Sequence, residues 1–217
     1  MLVSRGEEGA ELAGELGARA RFLAGSVTDP GTADRAVALA AEVGGVDVLV
    51  NNAGLDLLGA LTETTEADVR RIFETNFFGA LWMLLSVGRE LQALGRGGSI
   101  INVTSRLASA GVPGMVVYGA SKGALLTLTR GAAVEFAPDG IRVNAVAPGM
   151  TATRMFEEYI ANQPDGPAAL RGVQAAIPLG RLAQPEDIAA AVAYLASDES
   201  GHVTGVSIPV DGGFLAA

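Results

Sequence analysis

Ser99-Ile100-Ile101-Asn102-Val103 is a nearly unbroken apolar run, and Thr104-Ser105 follows it at once. Three other runs share its character, at residues 46–50, 141–147 and 206–210. Continuous apolar strands are the kind covered on both faces, as parallel strands between two layers of helices are. Between these runs the apolar spacing turns helical, over residues 32–43, 66–94, 115–136 and Pro185–Ala196. The last begins on proline, where a missing amide donor does no harm. Residues 21–27 read as a weaker strand, and Leu2-Val3 as the end of another. Strands alternating with helices predict an α/β, Rossmann-like, doubly wound parallel sheet, three layers deep, with right-handed crossovers.

The 217 residues are 49% hydrophobic and 18% charged, which suits a single domain spanning 1–217 with a substantial core. A net charge of −9 argues against nucleic acid or an anionic membrane surface as the partner. Without cysteine the chain has no disulfide framework, no thiolate nucleophile and no cysteine-bound metal. His202, the sole histidine, reads as a solvated loop residue, so no metal site is expected. The start lacks the apolar run of a signal peptide. No stretch approaches the roughly 20 apolar residues of a membrane span. A cytoplasmic protein is expected.

In open α/β sheets, ligands bind beyond the carboxyl ends of the strands. Asn51-Asn52-Ala53-Gly54, Thr104-Ser105 and Pro148-Gly149 each follow an apolar run, so their small or polar residues gather along one edge. Taken singly, each is also an ordinary turn or strand end. Residues 150–180, with Pro164 and Pro178, are the least regular part and read as a mobile lid over that edge. Met155, Phe156, Tyr159 and Ile160 would give the lid an apolar side, interrupted by Glu157 and Glu158.

Tyr118 and Lys122 lie four residues apart within the 115–136 helix, so a phenol and an ammonium share a face. An unperturbed tyrosine, with a pKa of about 10, releases its proton poorly at neutral pH. A cation about 4 Å away contributes roughly 4 kcal/mol at an effective dielectric of 20, enough to bring the phenol near neutrality. A general acid/base works best there. The same pair also decorates many ordinary amphipathic helices. Phe73 and Trp82, on the 66–94 helix, read as core.

Together these residues resemble the classical short-chain dehydrogenase/reductase family over nearly the whole chain. Asn51-Asn52-Ala53-Gly54 is similar to the family motif after its fourth strand. Asn76, in Asn76-Phe77-Phe78-Gly79, matches the asparagine that supports a proton-relay water. Ser105 stands thirteen residues before Tyr118, the family's usual offset for the catalytic serine. Pro148-Gly149 with Thr151 and Thr153 resembles the segment cradling nicotinamide, and Pro185-Glu186-Asp187-Ile188 with Val210-Asp211-Gly212-Gly213 resembles the C-terminal signature. The resemblance implies an NAD(P)-dependent oxidoreductase interconverting a carbonyl and a secondary alcohol, a small-molecule substrate, and a homo-oligomer, tetramer or dimer. Tyr118 would be general acid/base and Ser105 would steady the carbonyl oxygen. Lys122 would lower the Tyr118 pKa and hold the nicotinamide ribose, and Asn76 would place the water. The nearest general likeness is to 3-oxoacyl-carrier-protein reductases and glucose-dehydrogenase-like members.

Two departures stand out. The family's first strand and its phosphate turn, Thr-Gly-x-x-x-Gly-x-Gly, have no counterpart here. Gly95-Arg96-Gly97-Gly98 precedes a strand, where a phosphate turn must follow one. The expectation is an N-terminally incomplete form of a longer enzyme, whose strands two and four lack their shared neighbour. The alternative is a catalytically impaired fragment or pseudo-enzyme that binds a nucleotide or a partner subunit. At the cofactor's adenosine end, Ser4 stands where NAD-preferring members carry an acid, and Arg5 can pair with a 2′-phosphate. NADP(H) is therefore expected over NAD(H). Ser26-Val27 replaces the common Asp-Val beside the adenine, leaving Val27 as the contact.

Overall fold

Strands and helices alternate along the chain, which the computed structural model describes from residue 1 to 217, the Met155 side chain excepted. The order is β1 (Leu2–Ser4), α1 (Glu8–Leu16), β2 (Phe22–Ala24), α2 (Pro30–Ala41), β3 (Val48–Asn51), α3 (Glu66–Phe73), α4 (Gly79–Leu94), β4 (Gly98–Val103), α5 (Val116–Phe136), β5 (Ile141–Pro148), α6 (Arg154–Ala161), α7 (Gly166–Ala175), α8 (Pro185–Ala196) and β6 (Ser207–Val210). Every pairing is parallel. The strands form two sheets, β1-β2 and β3-β4-β5-β6, and β1 and β3 share no ladder.

Helices cover both faces. On one, Leu84, Val87 and Leu91 of α4 and Ala132, Ala133 and Phe136 of α5 bury Ile100, Ile141 and Val143. On the other, Leu195 of α8 packs on Ile101 and Val146. A third cluster joins the sheets: Ala33 and Ala36 of α2 and Met83 of α4 hold Val3, Leu23 and Leu49 in one layer. Side chains alternate along a strand, and on the opposite face Ser4 and Phe22 back onto α1. A Cβ at Gly9 would stand 2.4 Å from each.

One expectation needs refinement and one needs correction. Residues 66–94 are helical throughout, as expected, but a π-helical turn, Glu74–Phe78, interrupts the regular helix between α3 and α4. Residues 150–180 are not irregular, since Thr153 and Asp165 cap two short helices, α6 and α7. The pair is tied to the body by the Thr151–Ala183 bridge, with Ala152 N–H donating to the Ala183 carbonyl at 2.9 Å. Phe156 is buried, its ring 6.1 Å from that of Tyr159, while the expected contribution of the Met155 side chain lies outside the described residues. β3 also departs from two-faced burial. Leu49 packs inward, but Val48 and Val50 are 38% and 42% exposed, as befits a sheet edge.

Candidate active site

Parallel strands direct all their carboxyl ends to one side, and there the chemistry-bearing residues meet. β3 delivers 51–54, β4 delivers Ser105, β5 delivers Pro148-Gly149 and β6 delivers Asp211. Helix α5 lies across this edge with Tyr118 and Lys122 on one face. The Lys122 Nζ stands 5.9 Å from the centre of the Tyr118 ring. The phenol is half-buried and the ammonium is buried, donating to the Val103 carbonyl at 2.9 Å.

A chain of buried hydrogen bonds sets α5 on the sheet. Asn51 Nδ2 donates to Asn102 Oδ1 at 2.9 Å, Asn102 Nδ2 to Thr129 Oγ1 at 2.9 Å, and Thr129 Oγ1 to the Leu125 carbonyl at 2.8 Å. Asn51 also donates to the Ala80 carbonyl at 3.2 Å. The Asn51 side chain thus faces inward, joining β3, β4 and α4, rather than the cleft where the sequence reading put it.

Asn76 sits at the centre of the π-helical turn, a departure from regular helix common at functional sites. Its Oδ1 accepts from Leu55 N–H at 2.8 Å, and its Nδ2 donates to the Leu55 carbonyl at 2.8 Å and to Ser121 Oγ at 3.0 Å. Ser121 Oγ in turn donates to the Tyr118 carbonyl at 2.7 Å. Asn76 therefore locks the 52–55 loop onto α5. Both Nδ2 hydrogens are engaged by protein partners, and Oδ1 accepts one bond. Gly54 belongs to the same knot: a Cβ there would lie 3.3 Å from Lys122 Nζ and 3.4 Å from Asn76 Oδ1.

Ser105 Oγ accepts from Leu107 N–H at 3.1 Å, capping a short 3-10 turn, and its hydroxyl favours the ionised form of the Tyr118 phenol. The electrostatics correct the sequence expectation. Burial raises the Tyr118 pKa above its ordinary value; Ser105 and Arg106 pull it down, and Asp56 pushes it up. Lys122 is not the cation acting on the phenol. Its own pKa is lowered to about 8 by burial. An ammonium bonded to a strand carbonyl, about 6 Å from the ring, does not substitute for solvent around the phenol. Arg106 and Asp56 were passed over in the sequence. A charged residue directly after Ser105 at a strand's carboxyl end was the available signal.

Pro148 ends β5, and Gly149 N–H donates to the Val210 carbonyl at 2.9 Å. A Cβ on Gly149 would fall 2.6 Å from the Asp211 Cα, so only glycine permits this approach. Thr151 Oγ1 donates to the Gly149 carbonyl at 3.2 Å, and Thr153 Oγ1 accepts from Phe156 N–H at 3.4 Å. Val27 packs against the start of α4, where a Cβ on Gly79 would stand 2.7 Å from its Cγ2. Ser26 Oγ and Thr28 Oγ1 are 2.8 Å apart. Arg5 is exposed immediately after β1. Among the described residues no His/Cys/Asp/Glu cluster could hold a metal ion, and no helix is long and apolar enough to cross a membrane.

These residues suit the nicotinamide-ribose end of a dinucleotide. Lys122 has N–H donors beyond the one given to Val103, and the side-chain-free surface of Gly54 lies against it. The pyrophosphate end is different. α1 carries Glu8 and Glu11 in its first turn, and carboxylates at a helix N-terminus repel a phosphate drawn there by the dipole.

A family model described as enoyl-(acyl carrier protein) reductase matches residues 2–215. The chain is 41% identical over 204 residues to L-2,3-butanediol dehydrogenase of Corynebacterium glutamicum, covering 91% of this chain and 79% of that one. It is 38% identical over 209 residues to a sorbitol dehydrogenase of Cereibacter sphaeroides, covering 93% and 81%. The solved structure of ElxO with NADP bound superposes with a TM-score of 0.89 at 31% identity, covering 99% of this chain and 88% of that chain.

Proposed function

The chain belongs to the short-chain dehydrogenase/reductase family and is an NAD(P)-dependent oxidoreductase of carbonyl/alcohol pairs, and we propose that Tyr118 is its general acid/base. The observation that carries this is the packing of the Ser105 turn at the end of β4 against α5, where Ser105 acts on the Tyr118 phenol and Lys122 shares the helix face. When bound, the nicotinamide supplies or accepts the hydride. Tyr118 Oη gives its proton to the carbonyl oxygen during reduction and takes one from the hydroxyl during oxidation. Ser105 Oγ hydrogen-bonds the same oxygen and stabilises its developing charge. Lys122 Nζ holds the nicotinamide ribose hydroxyls while remaining bonded to Val103. Asn76 is a positioning residue, fixing Gly54 and α5 against one another. Asn52, Ala53, Pro148, Gly149, Thr151 and Thr153 form the cofactor's walls, and residues 150–180 close over the substrate.

NADP(H) is the preferred cofactor on this reading, because β1 ends on Ser4 rather than an acid and exposed Arg5 follows it. Val134, 79% exposed on α5, and Val116, 48% exposed at its start, supply apolar surface for a homo-oligomer, dimer or tetramer. A cytoplasmic location fits the composition.

Tyr118→Phe keeps the ring and removes the proton donor. The expected result is a fall in turnover of roughly 10²–10⁴-fold, with NADPH affinity barely changed. Full turnover by the phenylalanine variant would overturn the assignment.

A further inference from the structure

Arg106 follows Ser105 directly, in the turn Arg106–Ala108 beyond the end of β4. Only 7% of its surface is exposed. A charged side chain so deeply covered is normally ion-paired, since stripping water from a guanidinium is costly. Here, among the described residues, no carboxylate lies within ion-pair distance of it and no acceptor engages its N–H groups.

Asp211 acts on Arg106 from farther away, and each of its oxygens accepts a backbone N–H. Oδ1 accepts from Gly213 N–H at 2.9 Å and Oδ2 from Leu215 N–H at 3.0 Å. What holds the guanidinium is the Phe214 ring, whose centre is 3.7 Å from Cζ. Stacking on an aromatic face fixes the plane of the fork and leaves its rim of donors free. Every wholly enclosed side-chain nitrogen or oxygen among the described residues has a partner. The nitrogens of Arg106 have none, so they keep a path to solvent. Arg106 stands in the same turn as Ser105, directly after it, and its charge acts on the Tyr118 phenol.

We propose that Arg106 is a specificity-determining residue that receives a carboxylate of the substrate, so that the preferred carbonyl/alcohol pair is an oxo acid and its hydroxy acid. A planar carboxylate matches the two parallel donors of a guanidinium fork. The assignment rests on the reading of Tyr118 and Ser105 as the reacting site.

The test compares 2-oxobutanoate, 3-oxobutanoate and 4-oxopentanoate, each beside its uncharged amide, as substrates of the full chain with NADPH and with NADH. For at least one chain length, the wild type is expected to prefer the acid in kcat/KM. Arg106→Gln is expected to lower the acid-to-amide ratio roughly 10- to 100-fold, the effect of losing a charge-assisted pair, and Arg106→Lys to restore part of it. A merely structural Arg106 would lower the melting temperature and depress acid and amide alike, overturning the proposal. An equal preference in wild type and Arg106→Gln would do the same. Binding is read apart from turnover, as the acid-minus-amide rise in melting temperature of the NADPH-supplemented chain. If that difference is present in wild type and absent in Arg106→Gln while no substrate is turned over, the acid site stands and the catalytic reading of Tyr118 falls. If the difference is absent in the wild type, the acid site falls.

Discussion

The Lys122 ammonium donates to the carbonyl of Val103 at 2.9 Å, tying α5 to the last residue of β4 from inside the protein. Burial there lowers its pKa to about 8, against about 10.4 for a free lysine. Between those values the unfolded chain binds a proton that the folded chain has lost. Stability therefore rises with pH across this window as far as Lys122 is concerned, by roughly 3 kcal/mol in total. Urea midpoints from pH 7.5 to 10.5 should climb in wild type relative to Lys122→Met, which removes the titrating group. A wild-type curve parallel to that of the methionine variant would contradict this.

Burial raises the Tyr118 pKa, and Ser105 is foremost among the groups that pull it back. Reduction uses the protonated phenol and should persist well into the alkaline range. Alcohol oxidation uses the phenolate and should rise with pH from neutrality upward. Ser105→Ala removes both the stabilising hydroxyl and its pull on the phenol. The oxidation profile should shift to higher pH, and turnover should fall by about 10²–10³-fold. Rate profiles in both directions for wild type and variant test this, and an unshifted oxidation limb would count against it.

Glycines 54 and 149 forbid a side chain for different reasons, and the same substitution should separate them. Alanine at 149 would meet the Asp211 backbone at 2.6 Å, so the strand ends must move. A loss of about 1–3 kcal/mol in stability is expected. Alanine at 54 would press on Lys122 Nζ at 3.3 Å and Asn76 Oδ1 at 3.4 Å, side-chain ends that need give only slightly, where residue 149 meets backbone. Its melting temperature should stay close to wild type while KM for the cofactor rises. Comparable melting temperatures for Gly149→Ala and wild type would refute the first half.

Much of this architecture can be read along the chain because its signals are local. The apolar runs ending at Val103 and Ala147, and the helical spacing through Tyr118 and Lys122, need no knowledge of neighbours. Pro185–Ala196 carries its own start signal, and the helix has those bounds. What stayed hidden depends on contacts distant in sequence. Asn51 looks like a turn residue until Asn102, 51 positions away, arrives to accept its hydrogen bond. Asn76, within the π-helical turn, meets its partners Leu55 and Ser121 from 21 and 45 positions away. The Tyr118 pKa was misjudged because four-residue spacing fixes the helix face but not which side chain approaches the phenol or how much water leaves it.

The division of the strands bears on how the molecule breathes. β1 and β2 pair in a ladder of their own, and side-chain packing among Val3, Leu23, Leu49, α2 and α4 joins them to the larger sheet. Amides of such a semi-detached unit should open by local fluctuation, without global unfolding. In hydrogen–deuterium exchange, Leu2–Ser4 and Phe22–Ala24 should label well before Ile100–Val103 and Val143–Val146, making the N-terminal third the first part of this enzyme to loosen on warming.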